Sequence, residues 1–270
     1  MEQWLFLGVA MLATGLVAGV LAGLFGIGGG IVIVPVLETV LGFLGIDPAI
    51  RMHVAVGTSL ATIIPTSISS ARAHYKRGSV NVDIVKRWAI FVLGGALLGA
   101  WIASMVHSDV LAIVFASLAF LVAVKMLFFP SSRNLTEEVP GGPLVPIIPT
   151  AIGGFSSMMG IGGGTFSVMT LTLFNEPIHR AVGTAALFGL VISLPGMLGF
   201  AIAGWGDPRI PSGSLGYVSL IGFACIAPVT VLVAPLGAKI AHGFSAERLN
   251  MLFGAFLVLA SIRLFYRAFL

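Results

Sequence analysis

Charge is what this chain has least of. Asp, Glu, Lys and Arg together make up 9% of its 270 residues, against about 25% in a soluble domain. Apolar residues make up 58%. A soluble fold could not cover that much apolar side chain with so few charges, so the composition places the chain among membrane proteins with many spans. Cysteine occurs once, as Cys225, which excludes an intrachain disulfide and any Cys-x-x-Cys metal or redox pair. It sits in the run GFACIAPV, where helix packing accounts for it. The N-terminal stretch MEQWLFLGVAMLATGLVAGVLAG has no basic start, and its apolar part is too long for a signal peptide. It reads as a retained transmembrane helix. The formal charge of +4 is spread over several loops, with no basic patch interleaved with aromatics, so nucleic acid is not an expected partner. There is no G-x-S-x-G, no H-E-x-x-H, no paired carboxylates and no cluster of metal-ligating side chains. The chain reads as a non-enzyme that needs neither metal nor cofactor.

Glycine is what it has in plenty, at 35 residues, and two clusters stand out. GIGGG occupies 26–30 and recurs at 160–164. Apolar runs cover roughly 4–26, 31–44, 54–70, 88–106 and 111–129, then 144–159, 165–174, 181–204, 215–236 and 249–268. A spanning helix needs about 20 residues. The runs at 31–44 and 165–174 are too short and each follows a glycine cluster, so they are predicted as half-helices or tilted re-entrant pieces. Between the sets lies PSSRNLTEEVPGGP, a polar Pro/Gly-rich linker.

The halves resemble each other beyond the clusters. His53 and AVGT at 55–58 match His179 and AVGT at 181–184, and GAWIA at 99–103 matches GAKIA at 237–241. The reading is an all-α polytopic protein of 8–10 membrane segments, with one repeat over 1–129, a linker over 130–143 and a second repeat over 144–270. Arg72, Lys76, Arg77, Lys86 and Arg87 follow the third run, whereas only Arg209 follows its counterpart. The positive-inside bias therefore swaps between halves and favours inverted repeats. Arg263 and Arg267 argue the other way, and a parallel arrangement follows if each short run is re-entrant beside four long helices.

Irregular backbone inside a bilayer survives only where protein buries it or a cavity wets it. A GIGGG break exposes backbone N–H groups, and the short helix after it points a positively polarised N-terminus at the gap. Two such ends, brought together by pseudo-symmetry, would form an anion site near the midplane. The alternative is that these glycines only let helices pack closely. No Lys-Ser/Thr pair follows either cluster, which excludes a nucleotide loop. The predicted substrate-binding set is Gly28, Gly29, Gly30 and Thr58 with Gly162, Gly163, Gly164 and Thr184, joined by His53, His179, Arg51 and Arg180. The arginines read equally as interfacial anchors, and the threonines as groups bonding back to their own helix. On the third run and its partner, Ser67 and Ser193 belong to hydroxyl sets that suit a polar, uncharged path or helix packing. Glu38, an acid within a short apolar run, is a candidate proton carrier.

LAGLFGIGGGIVIVPVL followed by AVGTSLATII, repeated as GGFSSMMGIGGGTFSVMTL and HRAVGTAA, resembles the sulfite exporter TauE/SafE family of permeases, a grouping that includes toluene-sulfonate uptake permeases. The resemblance spans both repeats and carries Gly26, Gly28, Gly29, Gly30, Gly57 and Thr58, with Gly160, Gly162, Gly163, Gly164, Gly183 and Thr184. It implies transport of a small sulfur-containing anion, such as sulfite, a sulfonate or sulfoacetate, across the bacterial cytoplasmic (inner) membrane without ATP hydrolysis. The expectation is a secondary transporter working by alternating access, with proton coupling through His53, His179 or Glu38. An anion channel or a membrane scaffold are the rivals. A homodimer is one of the assemblies left open, and the lipid bilayer is the surrounding partner.

Overall fold

The apolar runs fold as helices because a backbone in lipid must pair its own N–H and C=O groups. The computed structural model describes residues 9, 11–20, 29–128, 144–241 and 246–269. The linker 130–143 lies outside them, as do Gly26 and Gly28. The helices are α1 (Met11–Val20), α2 (Gly30–Phe43), α3 (Pro48–Lys76), α4 (Val82–Met105) and α5 (Ser108–Phe128), then α6 (Leu144–Met158), α7 (Gly164–Leu173), α8 (Ile178–Ala203), α9 (Leu220–Ala241) and α10 (Ala246–Phe269). A small antiparallel hairpin of β1 (Ser214–Leu215) and β2 (Val218–Ser219) leads into α9.

Among the described residues, five helices are long and apolar enough to cross a membrane: α3, α4, α5, α8 and the Met251–Phe269 part of α10. With 14 and 10 residues, α2 and α7 extend about 21 and 15 Å. Each covers part of a bilayer, as the two short runs predict.

Close approaches at glycine give the helix directions. α3 and α8 pack antiparallel through the centre: Gly57 faces Phe200, Ser67 faces Gly189, and His74 faces Gly183. α2 returns along α3, with Gly30 at Ile63 and Gly42 at Arg51. α1 runs parallel to α9, Gly15 against Ile226 and Gly19 against Thr230. α6 runs parallel to α4, Gly95 against Thr150 and Gly99 against Gly154. At Gly95 an added Cβ would collide with the Thr150 carbonyl oxygen. Here glycine is present because two backbones touch. α5 and α10 are antiparallel, Leu127 beside Gly254 and Asp109 beside Arg267. Directions alternate from α1 to α10, so α6–α10 each run opposite to the equivalent helix of α1–α5.

The apolar packing divides differently from the sequence. One core joins Met11 and Ala18 of α1 with α2, α3 and α5, Ile226 of α9, and Phe253, Leu257 and Leu264 of α10. The other joins Ile84, Trp88, Val92 and Ala96 of α4 with Ile152, Leu171, Phe188 and Ile192 of α6–α8. The first part of α4 lies in the second core, while its Ala100 and Ala103 join the first, as do Met159 and Ile161 at the break and Phe200 of α8.

Candidate functional site

The second glycine cluster breaks the chain between α6 and α7. Residues 159–163 are non-helical, and Gly163 caps α7 with φ 72°. Gly29 caps α2 with φ 83°. Both sit in the left-handed region, which strains a residue with a Cβ. The first helical N–H bond of α7 runs from Ser167 to Gly163, so the amides before Ser167 have no carbonyl one turn back.

The start of α2 meets the second break. A Cβ on Gly30 would lie 2.6 Å from the Gly160 carbonyl oxygen and 3.0 Å from Ile161 Cα. The Ser59 hydroxyl on α3 donates to the Gly160 carbonyl at 2.8 Å. Gly162 abuts Ile63, and its carbonyl oxygen would lie 2.7 Å from a Cβ on Gly189. A cavity of about 50 Å³ adjoins this point, lined by Thr66, Ser67 and Ser70 of α3, Gly162 and Gly164 at the break, and Ala185 of α8. It lies between α3, α7 and α8.

Around the second break lies a set of hydroxyls of which the sequence reading singled out only Ser193. Ser156, Ser157, Ser167 and Ser193 are fully buried and Thr165 nearly so, and none of these hydroxyl oxygens has a hydrogen-bond partner among the described residues. A buried polar group without a partner is costly, so five near one break call for an explanation. The signal was present in the sequence. When the GIGGG clusters are aligned, Ala22, Gly23, Ile31 and Ile33 stand where Ser156, Ser157, Thr165 and Ser167 stand.

Thr58 and Thr184 prove to be acceptors for backbone. Thr58 Oγ1 accepts the Ser219 N–H at 2.9 Å, and Thr184 Oγ1 accepts the Asn81 N–H at 2.9 Å. Ser219 in turn takes the Gly222 N–H on its hydroxyl, and Asn81 takes the Ile84 N–H on its amide oxygen. Both are N-caps, opening α9 and α4. The glycine of each AVGT makes room: a Cβ on Gly57 would press on the Tyr217 carbonyl oxygen, and one on Gly183 would collide with that of Ser79. Each AVGT is thus a socket that holds the entry of a helix from the other half of the chain.

Of the remaining predicted residues, His53 lies one turn from Val56, which touches Gly160 at the second break, and the others stand nearer the helix ends. His53 is buried; its Nε2 donates to the Ala103 carbonyl at 3.0 Å, and its ring lies 5.0 Å from that of Tyr217. His179 is exposed. Arg51 donates to the Ile46 carbonyl, closing the turn after α2. Arg180 is half-exposed and pairs with Glu176 at 3.2 Å.

Glu38 is only 2% exposed. Its Oε1 lies 3.3 Å from Arg267 Nε and 3.6 Å from Arg51 Nη1, and Arg267 also reaches Asp109 and the Pro48 carbonyl. On the same side, outside the spans, Asp207 pairs with Arg209 and accepts the Tyr217 hydroxyl. The Arg209 hydrogen bonds hold the Asp207 carboxyl well below the usual carboxylate range, while burial pushes the Tyr217 hydroxyl up.

Comparison with known proteins accords with this architecture. The profile of a family described as Sulfite exporter TauE/SafE matches residues 11–264. A protein named probable membrane transporter protein in Haemophilus influenzae is 34% identical over 261 residues, covering 95% of this chain and 97% of its own. Probable membrane transporter protein YunE of Bacillus subtilis is 26% identical over 280 residues, covering 96% and 97%. A probable membrane transporter protein of Methanocaldococcus jannaschii is 26% identical over 265 residues, with 94% of each chain covered. No solved structure matches.

Proposed function

Because the chain belongs to the sulfite exporter TauE/SafE family, we propose that it is a secondary carrier for a small sulfur-containing anion such as sulfite, a sulfonate or sulfoacetate. It works in the bacterial cytoplasmic membrane by alternating access. The observation that carries this reading is the meeting of α2 with the second break: the start of α2 lies against Gly160 and Ile161, so two half-helices direct N-terminal amides and partial positive charge at one buried region. Gly29, Gly30, Gly162, Gly163 and Gly164 then form the floor of the anion site. Thr58 and Thr184 lie outside it, holding the entries of α9 and α4.

The opposed helix directions support reading the halves as inverted copies. The charge distribution supports an orientation. Arg72, Lys76, Arg77, Lys86, Arg87 and Arg180 gather where α3 ends and α4 and α8 begin, which the positive-inside rule assigns to the cytoplasm. Arg267 carries little weight against this, since Glu38 and Asp109 offset its charge. The moving bodies follow the two cores rather than the two sequence halves, and the cavity between α3 and α8 is the seam along which they part. Glu38, held between Arg51 and Arg267, is the best-placed coupling carboxylate.

Counterflow of labelled sulfite and methanesulfonate in proteoliposomes tests the proposal. Saturable exchange is expected, abolished by Gly163→Leu. A steady current across a planar bilayer without counterflow would replace the carrier with a channel.

A further inference from the structure

α2 and α7 start alike, each from a left-handed glycine, and carry unlike side chains, with Ile31 and Ile33 standing where Thr165 and Ser167 stand. We propose that the site is one-sided: a monoanion carrying an SO₃ group is held by Ser157, Ser167 and Ser193 at the second break, and the first break contributes only shape and partial charge. This rests on the carrier reading and goes beyond it by naming the recognition groups and the charge state.

Three observations place these hydroxyls around the second break, behind the residues that line the adjoining cavity. Ser167 Oγ lies 3.5 Å from where a Cβ on Gly163 would be. Ser157 Oγ lies 2.8 Å from where a Cβ on Gly196 would be. On α8, Gly189, Ser193 and Gly196 share a face by their spacing, and the two glycines meet the Gly162 carbonyl and Ser157 respectively, so Ser193 lies between them. All three serines are fully buried and lack partners. Three free hydroxyl donors match the three terminal oxygens of a sulfonate or bisulfite. Ile31 and Ile33, at the positions after the first break equivalent to Thr165 and Ser167, offer no donor.

The charge state follows from magnitudes. Each helix N-terminus carries roughly half a positive charge, so α2 and α7 together offer about one. No Lys, Arg or His lines the adjoining cavity. A monoanion is balanced there. A dianion leaves about one negative charge uncompensated in a medium of low dielectric, which is costly.

The test is equilibrium binding to the purified full chain, read as ligand-induced thermal stabilisation and by calorimetry, with methanesulfonate as the monoanion and sulfate as the dianion. Ser167→Ala and Ser193→Ala are each expected to weaken methanesulfonate binding by about tenfold or more, the worth of one hydrogen bond to a charged group. Their melting temperatures without ligand are expected to hold or rise, because each removes an unpartnered buried hydroxyl. Ile33→Val is expected to bind as wild type. Sulfate is expected to bind at least tenfold more weakly than methanesulfonate. Serine variants that bind methanesulfonate normally would overturn the placement alone, and equal binding of sulfate would overturn the charge assignment. If neither anion nor sulfite binds the wild type, the carrier reading falls and this inference falls with it.

Discussion

Replacing Thr58 and Thr184 with valine separates a structural socket from a substrate contact. The exchange nearly preserves shape and deletes one acceptor, so the Ser219 or Asn81 N–H loses its partner. A buried donor left unsatisfied costs about 1–3 kcal/mol. Interhelical side-chain bonds in membrane proteins average nearer 0.6 kcal/mol, because the unfolded chain in lipid also finds partners. Here the orphan is a backbone amide at a helix entry, and Thr58 and Thr184 are fully buried, so water cannot reach it easily. About 1 kcal/mol per site is expected. In the α3–α8 register Gly183 lies level with His74, about 24 Å along α3 from Thr58. Sites so far apart add, giving about 2 kcal/mol for the double variant and a fall in melting temperature of about 2–4 °C per site. Thermal unfolding in detergent measures this, with Thr58→Ser as the control that keeps the acceptor. Anion affinity is expected to stay unchanged throughout. Valine variants of full stability and weakened affinity would refute the socket argument and return both threonines to the substrate.

Glu38→Gln leaves Arg51 and Arg267 facing each other without their shared carboxylate, and a loss of about 3 kcal/mol is expected. Arg267 keeps Asp109, so a double-mutant cycle with Arg267→Gln should show a coupling above about 1 kcal/mol; additive losses would mean the pair does not couple. Asp207 titrates in the opposite sense to a histidine gaining a partner. Its folded-state pKa is depressed, so its contribution is complete above the unfolded value and is lost as pH falls through the depressed one. The difference in melting temperature between wild type and Asp207→Asn should therefore hold from pH 7 to about pH 5 and shrink only in stronger acid. A difference that vanishes above pH 5 would contradict the Arg209 pairing.

The parts of this molecule that could be read in advance are those where local chemistry allows one answer. A GGG run in a greasy context cannot stay helical, so the half-helices α2 and α7 followed from Gly29 and Gly163 without coordinates. The matched AVGT copies were legible too, and each folds as a socket for a helix entry. What escaped was set by distant partners. His53 and His179 occupy matched positions, yet one is buried against Tyr217 and the other is exposed, because the hairpin before α9 has no counterpart of the same length before α4. Glu38 read as a lone acid, since Arg267 lies near the other end of the chain. The serines around the second break were visible as letters, but their burial and lack of partners are properties of packing. The hairpin itself was missed: its strands have two residues each, too few to show an alternating pattern.

The exchange of α4 into the neighbouring core sets a timetable for biogenesis. When the ribosome has delivered α1–α5, Trp88 and Val92 have no bed, because Ile152, Phe188 and Ile192 are still to be made. α1 waits in the same way for Ile226 and Thr230. Neither set of five helices can close on its own, so assembly has to finish late, after insertion, with early helices parked in lipid until their partners arrive.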